Sequence, residues 1–146
     1  MEPNLNYRSV TPEHYPPPKY RPEEENVWVW CKPLIEKCLK YQNEYDIIDI
    51  EQAIKNGKFM LWPHPTSKQS CFVTEIIEFP RYRAMNLIFC AGSWNELEEI
   101  LINGIEPFAR FSSVKKLFGG GRKGWIKALQ RKNLGFKKEH IISKEL

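Results

Sequence analysis

Apolar residues recur at helical spacing after the first 26 residues. Between Val27 and Gln42 they fall three and four residues apart, which predicts a helix with one apolar face. The stripe consists of Leu34, Ile35, Cys38, Leu39 and Tyr41. Pro33 fits this helix only in its first turn, where a missing backbone N–H is tolerated. Whether residues 27–30 belong to the helix or form a short strand stays open.

A second, shorter helix is predicted after a break at residues 43–45. Asp46 can cap its N-terminus, and the pair Asn56-Gly57 is typical of a helix end. Its apolar face consists of Ile47, Ile50, Ala53 and Ile54. Two short helices therefore precede the first clear strand.

The middle of the chain has the pattern of β-strands. Residues 58–62 predict one strand, which the following Pro63 stops. Residues 70–79 and 82–91 are rich in β-branched and aromatic side chains, and the connection between them is short. This arrangement predicts an antiparallel hairpin.

The remainder of the chain alternates helices and strands. Ser93, with Glu96 three residues later, has the sequence of a capping box and predicts the start of a helix. The apolar stripe of that helix is Trp94, Leu97, Ile100, Leu101 and Ile105. After it the pattern predicts a weak strand at 113–118, a loop at 119–124, a helix through 125–129 with Gly135 as its stop, and a closing strand at 136–142.

The N-terminal residues differ in composition from the rest. Of 11 prolines, 7 lie in the first 33 residues, and proline fixes φ and removes a backbone donor. We therefore predict an extended, proline-rich arm at residues 1–26 and one domain at residues 27–146. Tyr7, Tyr15 and Tyr20 suggest that this arm lies against its own domain or against a partner.

Composition and cysteine content narrow the class of protein. With 42% hydrophobic and 13% aromatic residues, the chain has ample material for a core. No stretch is long and apolar enough for a membrane helix, and we expect the protein to stay in the cytoplasm where it is made. The four cysteines are scattered without metal-ligand spacing, so we expect free thiols and no metal site.

Positive charge is concentrated at the C-terminal end. The net charge is +4, yet residues 110–146 hold 11 basic and 2 acidic side chains. Such a surface can face the phosphate of a cofactor, nucleic acid or an acidic partner. Gly119, Gly121 and Gly124 also spell a dinucleotide fingerprint, but only 22 residues follow, too few for a doubly wound domain.

The order of elements resembles that of the GNAT acetyltransferase superfamily. Several short motifs look more closely like small GNAT-like proteins encoded by tailed bacteriophages. These motifs are Met60-Leu61-Trp62, Val73-Thr74-Glu75-Ile76, Phe79-Pro80-Arg81, Ala91-Gly92, residues 121–125 and Leu134-Gly135-Phe136. The resemblance covers about residues 31–140 and implies an α/β fold with a mixed, mostly antiparallel sheet flanked by helices.

The resemblance also implies positions for a site. Superfamily members bind the acetyl-CoA pyrophosphate on backbone N–H groups between the central strand and the next helix, which here are those of Gly92, Ser93 and Trp94. The basic or Gln residue and the second small residue of that loop are missing, and the last helix lacks the Tyr that acts as acid. Glu75 or Glu78 would be the base that takes a proton from an amine.

Two functions follow, and the sequence favours the first. The first is a phage-encoded, non-catalytic protein that acts in virion assembly or as a virion component and needs no cofactor. Its contacts would be Tyr7, Tyr15 and Tyr20 of the arm and the basic pair Arg122 and Lys123, with virion proteins or nucleic acid as partners. The alternative is an acyl-CoA-dependent N-acetyltransferase that acts on an amine. The expected location is the host cytoplasm or the virion.

Overall fold

The computed structural model describes residues 25–120, 123–139 and 141–146. The predicted contacts Tyr7, Tyr15, Tyr20 and Arg122 lie outside these ranges, and Lys123 is the first residue of the last helix. The helices are α1 (Glu25–Cys38), α2 (Ile47–Lys55), α3 (Trp94–Ile100), α4 (Glu106–Phe111) and α5 (Lys123–Arg131). The strands are β1 (Phe59–Pro63), β2 (Cys71–Glu78), β3 (Arg83–Ala91) and β4 (Val114–Phe118). A 3₁₀ turn at Leu39–Tyr41 follows α1, and a π-helical turn at Leu101–Ile105 joins α3 to α4.

The four strands form one mixed sheet in the order β1-β2-β3-β4. β2 is antiparallel to both β1 and β3, and β4 runs parallel to β3. The predicted hairpin is therefore confirmed, with Glu78 opposite Arg83 at its closed end. The fold class is also confirmed, because helices cover both faces of a mostly antiparallel sheet.

Each face of the sheet has its own hydrophobic core. On one face, α1 and α2 cover a cluster of Trp28, Cys31, Ile35, Ile50, Ala53, Ile54, Phe59, Leu61, Cys71 and Val73. On the other face, the helical run from α3 to α4 and part of α5 cover Met60, Trp62, Phe72, Met85, Leu87, Leu97, Ile100, Leu101, Ile105, Ala109, Val114 and Leu129. Successive side chains of a β-strand point to opposite faces, so β1 and β2 each contribute residues to both cores.

Trp62 is the largest fully buried side chain of the sheet. Its Nε1–H donates to Thr74 Oγ1 at 2.9 Å, and its ring meets that of Phe108 edge to face at 5.4 Å. Replacing Thr74 by valine keeps the shape but removes the hydroxyl that accepts the buried indole N–H. We expect the free energy of unfolding to fall by about 1–3 kcal/mol. Urea unfolding of T74V beside T74S, which keeps the hydroxyl, measures the loss, and equal stability of all three proteins would contradict it.

The first helix corrects one prediction and settles another. Residues 27–30 are helical, and α1 continues through Pro33 instead of starting near it. Proline removes the N–H that would bond to the carbonyl of Val29, four residues earlier. Val29 lies on the open face of the helix with 69% of its surface exposed, and burial of Trp28, Cys31 and Ile35 on the opposite face holds the helix together. Tertiary packing here outweighs the local cost of proline.

The second helix agrees with its prediction. Asp46 accepts the backbone N–H of Asp49 at 2.9 Å, and Asp49 accepts that of Asp46 at 3.0 Å. This reciprocal capping box satisfies two N–H groups at the helix start. At the other end Gly57 has φ of +84°, a left-handed value suited to glycine.

The predicted closing strand at 136–142 is wrong for the residues described there. Residues 136–139 and 141–142 have no regular structure. Leu134 and Phe136 pack against the core under α3, and Lys116 of β4 bonds Glu139 at 3.1 Å. Ile141 and Ile142 are 90% and 97% exposed. β-propensity depends on side-chain packing against neighbouring strands, and these two isoleucines pack against nothing described.

Two further findings bear on the sequence predictions. Among the helices described, none is long and apolar enough to cross a membrane. The four cysteines are free thiols, as expected. A hydrogen bond with Cys31, together with burial, raises the pKa of Cys71 well above its ordinary value, so this thiol stays protonated and packs as an apolar core residue.

Candidate functional site

The sheet opens between β3 and β4. Over the residues described, their pairing begins at Arg83 and stops at Asn86, opposite Phe118, while β3 continues to Ala91. Gly119 passes so close to Leu87 that an added Cβ would lie 2.7 Å from the Leu87 carbonyl oxygen. The pairing with β4 thus ends near Leu87. The side of β3 from Ile88 to Ala91 that faces away from β2 borders what we call the opening.

A β-bulge accompanies the separation. Val73 of β2 lies opposite Phe89, and Thr74 lies opposite Leu87, so Ile88 has no register partner on β2. An extra residue bends a strand and increases its local twist. The bulge thus lies at the place where the pairing of β3 with β4 ends and the opening begins. On the α1 side, the Cys38 thiol donates to the Cys90 carbonyl at 3.3 Å, so the end of α1 flanks this stretch of β3.

The turn from β3 into α3 lies at the end of the opening. Gly92 has φ of +125°, a conformation that side-chain-bearing residues rarely adopt. An added Cβ would lie 2.0 Å from Ser70 Oγ and 2.7 Å from Ser70 Cα. Two independent features therefore require glycine at this position, namely the backbone angle and the close contact with Ser70. Trp94, the first residue of α3, is half-buried and packs against the core under that helix.

The predicted capping box at Ser93 forms only in its first half. The Ser93 hydroxyl accepts the Glu96 N–H at 3.3 Å, as expected. The Glu96 carboxylate, however, accepts the Ser70 hydroxyl at 2.5 Å instead of reaching back to the Ser93 N–H. The hydroxyls of Ser70 and then Ser67 hold the pKa of Glu96 below its ordinary value, although partial desolvation opposes them.

His64 is the other polar side chain buried at this junction. Its Nδ1 accepts the N–H groups of Thr66 at 3.3 Å and Ser67 at 3.2 Å, so Nε2 carries the proton and donates to Glu99 at 3.0 Å. Its backbone N–H also donates to the Ser70 carbonyl at 2.8 Å. The β1–β2 loop is thereby joined to the first turns of α3 by two carboxylate contacts.

Glu75 lies beside the inner end of the opening. It pairs with Asn86 on β3, the last residue that also pairs with β4. On β1 it lies opposite Phe59, which belongs to the core under α1 and α2. Residues directly opposite in a sheet share a face, so Glu75 points to the α1–α2 side, where it is half-buried.

Glu78 lies elsewhere. Its carboxylate bonds Arg83 Nε at 2.6 Å, and Arg83 also donates to the Ser112 carbonyl at 2.7 Å. Because Arg83 and Ala91 are at opposite ends of β3, Glu78 is roughly 25 Å from the turn at Gly92. The two predicted bases are thus in different surroundings, and only Glu75 borders the opening.

Sequence reasoning missed the residues that support the turn. No recognisable motif connects Ser93 with Ser70, His64 or Glu99. Only the fold brings these residues together. Asn86 likewise has no signal that separates it from an ordinary strand residue. Ser70 did carry one signal in the sequence, because it is a polar residue that adjoins the apolar run of a strand. A polar side chain that is buried there needs a hydrogen-bond partner.

Comparisons with known proteins concern the fold. No family model and no curated protein matches the sequence. Among solved structures, an aminoglycoside acetyltransferase from an uncultured soil metagenomic sample, in complex with sisomicin, has a TM-score of 0.59 at 11% identity, over 84% of this chain and 90% of that one. The chain has the fold of the GNAT acetyltransferases.

Two other structures with the GNAT fold extend the comparison. A ribosomal-protein-alanine N-acetyltransferase from Brucella melitensis biovar Abortus 2308 has a TM-score of 0.56 at 9% identity, covering 84% of this chain and 94% of that one. A transcriptional regulator from Bacillus halodurans C-125 has a TM-score of 0.62 at 13% identity, covering 88% and 97%. Identities this low establish the fold alone. The resemblance to phage-encoded proteins stays a prediction.

The residues at the opening suit acetyl-CoA through their backbone groups but not through their side chains. The edge of β3 offers backbone groups that suit an amide-bearing chain. The start of the helical run from Trp94 to Phe111 offers backbone N–H groups that suit an anion. The turn lacks a basic side chain for a pyrophosphate, and Tyr82 is the last tyrosine of the sequence. The predicted contacts of Gly92, Ser93 and Trp94 with acetyl-CoA would therefore have to be made by backbone groups.

Proposed function

We propose that the protein is an acyl-CoA-dependent N-acyltransferase. The observation that carries this proposal is the opening between β3 and β4, with the Gly92 turn at one end and the Glu75 carboxylate near the other. Structures with the same fold described as acetyltransferases support it. This choice reverses the preference drawn from the sequence, where the incomplete loop favoured a non-catalytic role.

The chain's own residues would divide the work along the opening. Gly92, Ser93 and Trp94 would hold the phosphate end of acetyl-CoA through backbone N–H groups. The half-buried stretch of β3 from Ile88 to Ala91 would pair with the amide-bearing arm, as a strand edge pairs with an extended peptide. The bound thioester would supply an activated acyl carbonyl.

Glu75 would receive the proton that the acceptor amine loses. A carboxylate placed within reach, directly or through one water, contributes about 10²–10⁴-fold as a general base. With Glu75 on the α1–α2 face, the amine acceptor would bind on that side of the sheet. Its charge also favours a cationic acceptor, since an amine at neutral pH is mostly protonated before it reacts.

Thermal unfolding with acetyl-CoA tests the proposal. At about 100 times its Kd, a ligand that binds only the folded state adds about 2.7 kcal/mol, which raises the Tm of a domain this size by several degrees. ATP at the same concentration controls for binding of any polyphosphate to the basic C-terminal region. No rise with acetyl-CoA, or an equal rise with ATP, would contradict the proposal.

The predicted role in virion assembly stays a prediction. Tyr7, Tyr15, Tyr20 and Arg122 lie outside the residues that the structure describes. The exposed lysines of β4 and of the C-terminal segment keep nucleic acid as a predicted partner, with no observation that selects it over another anion.

A further inference from the structure

Ser70 stands out among the buried polar side chains. It is fully buried at the end of the β1–β2 loop, immediately before β2. Its hydroxyl donates to Glu96 Oε1 at 2.5 Å, and its Cα and Cβ lie against Gly92. One small residue therefore contacts both the turn into α3 and the carboxylate in the first turn of that helix.

The contact prevents an alternative that the sequence favours. Ser93 and Glu96 have the spacing of a capping box, in which the glutamate would accept the Ser93 N–H. α2 forms that reciprocal arrangement with Asp46 and Asp49. In α3 the Glu96 carboxylate is held by the hydroxyls of the β1–β2 loop instead.

The position of this carboxylate matters for an anionic ligand. A capping-box geometry would occupy a backbone donor of the turn and would add a negative charge beside it. Held by Ser70, the carboxylate instead faces the β1–β2 loop. We propose that Ser70 is a positioning residue for the cofactor site, which keeps Glu96 away from the backbone of the Gly92–Trp94 turn. The inference rests on the proposed binding of acyl-CoA at that turn.

A double-mutant cycle on Ser70 and Glu96 tests this role. Isothermal titration with CoA gives the Kd of wild type, S70A, E96A and S70A/E96A. With Glu96 present, S70A is expected to raise Kd about tenfold, because the freed carboxylate competes with the ligand phosphates. In the E96A background the same substitution is expected to change Kd by less than about twofold, since no carboxylate remains to compete.

The cycle separates positioning from support of the fold. If Ser70 acted only by filling space against Gly92, S70A would weaken CoA binding equally in both backgrounds, and that result would overturn the proposal. S112A is the matched control, because the described bond of Ser112 to Arg83 uses its backbone carbonyl. Melting curves of all variants confirm that each is folded at the titration temperature.

A second readout needs no ligand. The groups that face Glu96 from the β1–β2 loop are Ser70, Ser67 and His64, and Glu99 shares its helix. In an NMR titration of S70A, the Ser93 amide shift is expected to follow the ionisation of Glu96, because the freed carboxylate accepts that N–H, whereas in wild type it should not. A Ser93 amide that behaves the same in both proteins would overturn the proposal. Failure of the wild type to bind CoA, with the difference at Ser93 present, would reject the proposed function and leave the positioning of Glu96 by Ser70 established.

Discussion

Replacing Gly92 by alanine is expected to lower the free energy of unfolding by about 3 kcal/mol or more. The φ of +125° strains any side-chain-bearing residue by about 1–3 kcal/mol. The new Cβ would also overlap Ser70, at 2.0 Å from its Oγ and 2.7 Å from its Cα, and overpacking typically costs a further 1–3 kcal/mol. The Ser70 backbone cannot rotate away as the end of a flexible side chain could.

Two other glycines separate the causes of that loss. Gly57 has φ of +84° with nothing within 4 Å of an added Cβ, so G57A isolates the backbone strain, at about 1 kcal/mol. Gly120 has open space and no left-handed φ, so G120A is expected to be near neutral. Denaturant unfolding of the three variants gives the comparison. A G92A loss no larger than that of G57A would show that the turn relaxes around the methyl group.

Local signals explain what the sequence could predict. The hairpin of β2 and β3 follows from two β-rich runs and a short connection, and α2 follows from Asp46, an apolar stripe and Gly57. In these elements the neighbouring residues themselves supply the caps, the turn and the alternation. The Gly92 turn can be located for the same reason, since a glycine and a capping serine adjoin the end of a strand.

Long-range packing explains what the sequence could not predict. α1 passes through Pro33 because burial of Trp28, Cys31 and Ile35 outweighs one missing hydrogen bond. Glu96 satisfies the local rule for a capping box, yet a serine 26 residues earlier in the chain takes its carboxylate. The segment after Leu134 has strand-forming residues but forms no described strand. It contacts the domain through Phe136, which packs against the core, and through the Lys116–Glu139 bond.

The site shows the same division between local and long-range information. Spacing alone places Glu75 and Glu78 on opposite faces of one strand, which the alternation of a β-strand requires. Only the register distinguishes them further, by putting Asn86 next to Glu75 and Arg83 next to Glu78. The choice between two candidate bases therefore depends on strand pairing, which no residue near either glutamate encodes.

Replacing Glu75 by glutamine is expected to reduce acyl transfer far more than it affects folding. If Glu75 takes the proton of the acceptor amine, kcat should fall by about 10²–10⁴-fold, because an amide of the same shape cannot accept that proton at neutral pH. CoA binding should stay close to that of wild type, because the Gly92 turn lies at the other end of the opening. Steady-state release of CoA with a panel of primary amines, beside calorimetric binding, measures both quantities.

Two further carboxylates make this test specific. Glu51 of α2 is partly exposed and pairs with Lys55 at 3.8 Å, so E51Q controls for removal of one negative charge from the α1–α2 side. Glu78 is bound to Arg83 near the closed end of the hairpin, so E78Q should lose its ion pair but keep its turnover within about twofold, as expected for an exposed pair of modest strength. Full activity of E75Q, or a loss of activity in E78Q alone, would show that Glu75 is not the base. The geometry of the opening predicts the reverse order, since it brings an acceptor amine to the α1–α2 face, where Glu75 lies and Glu78 does not.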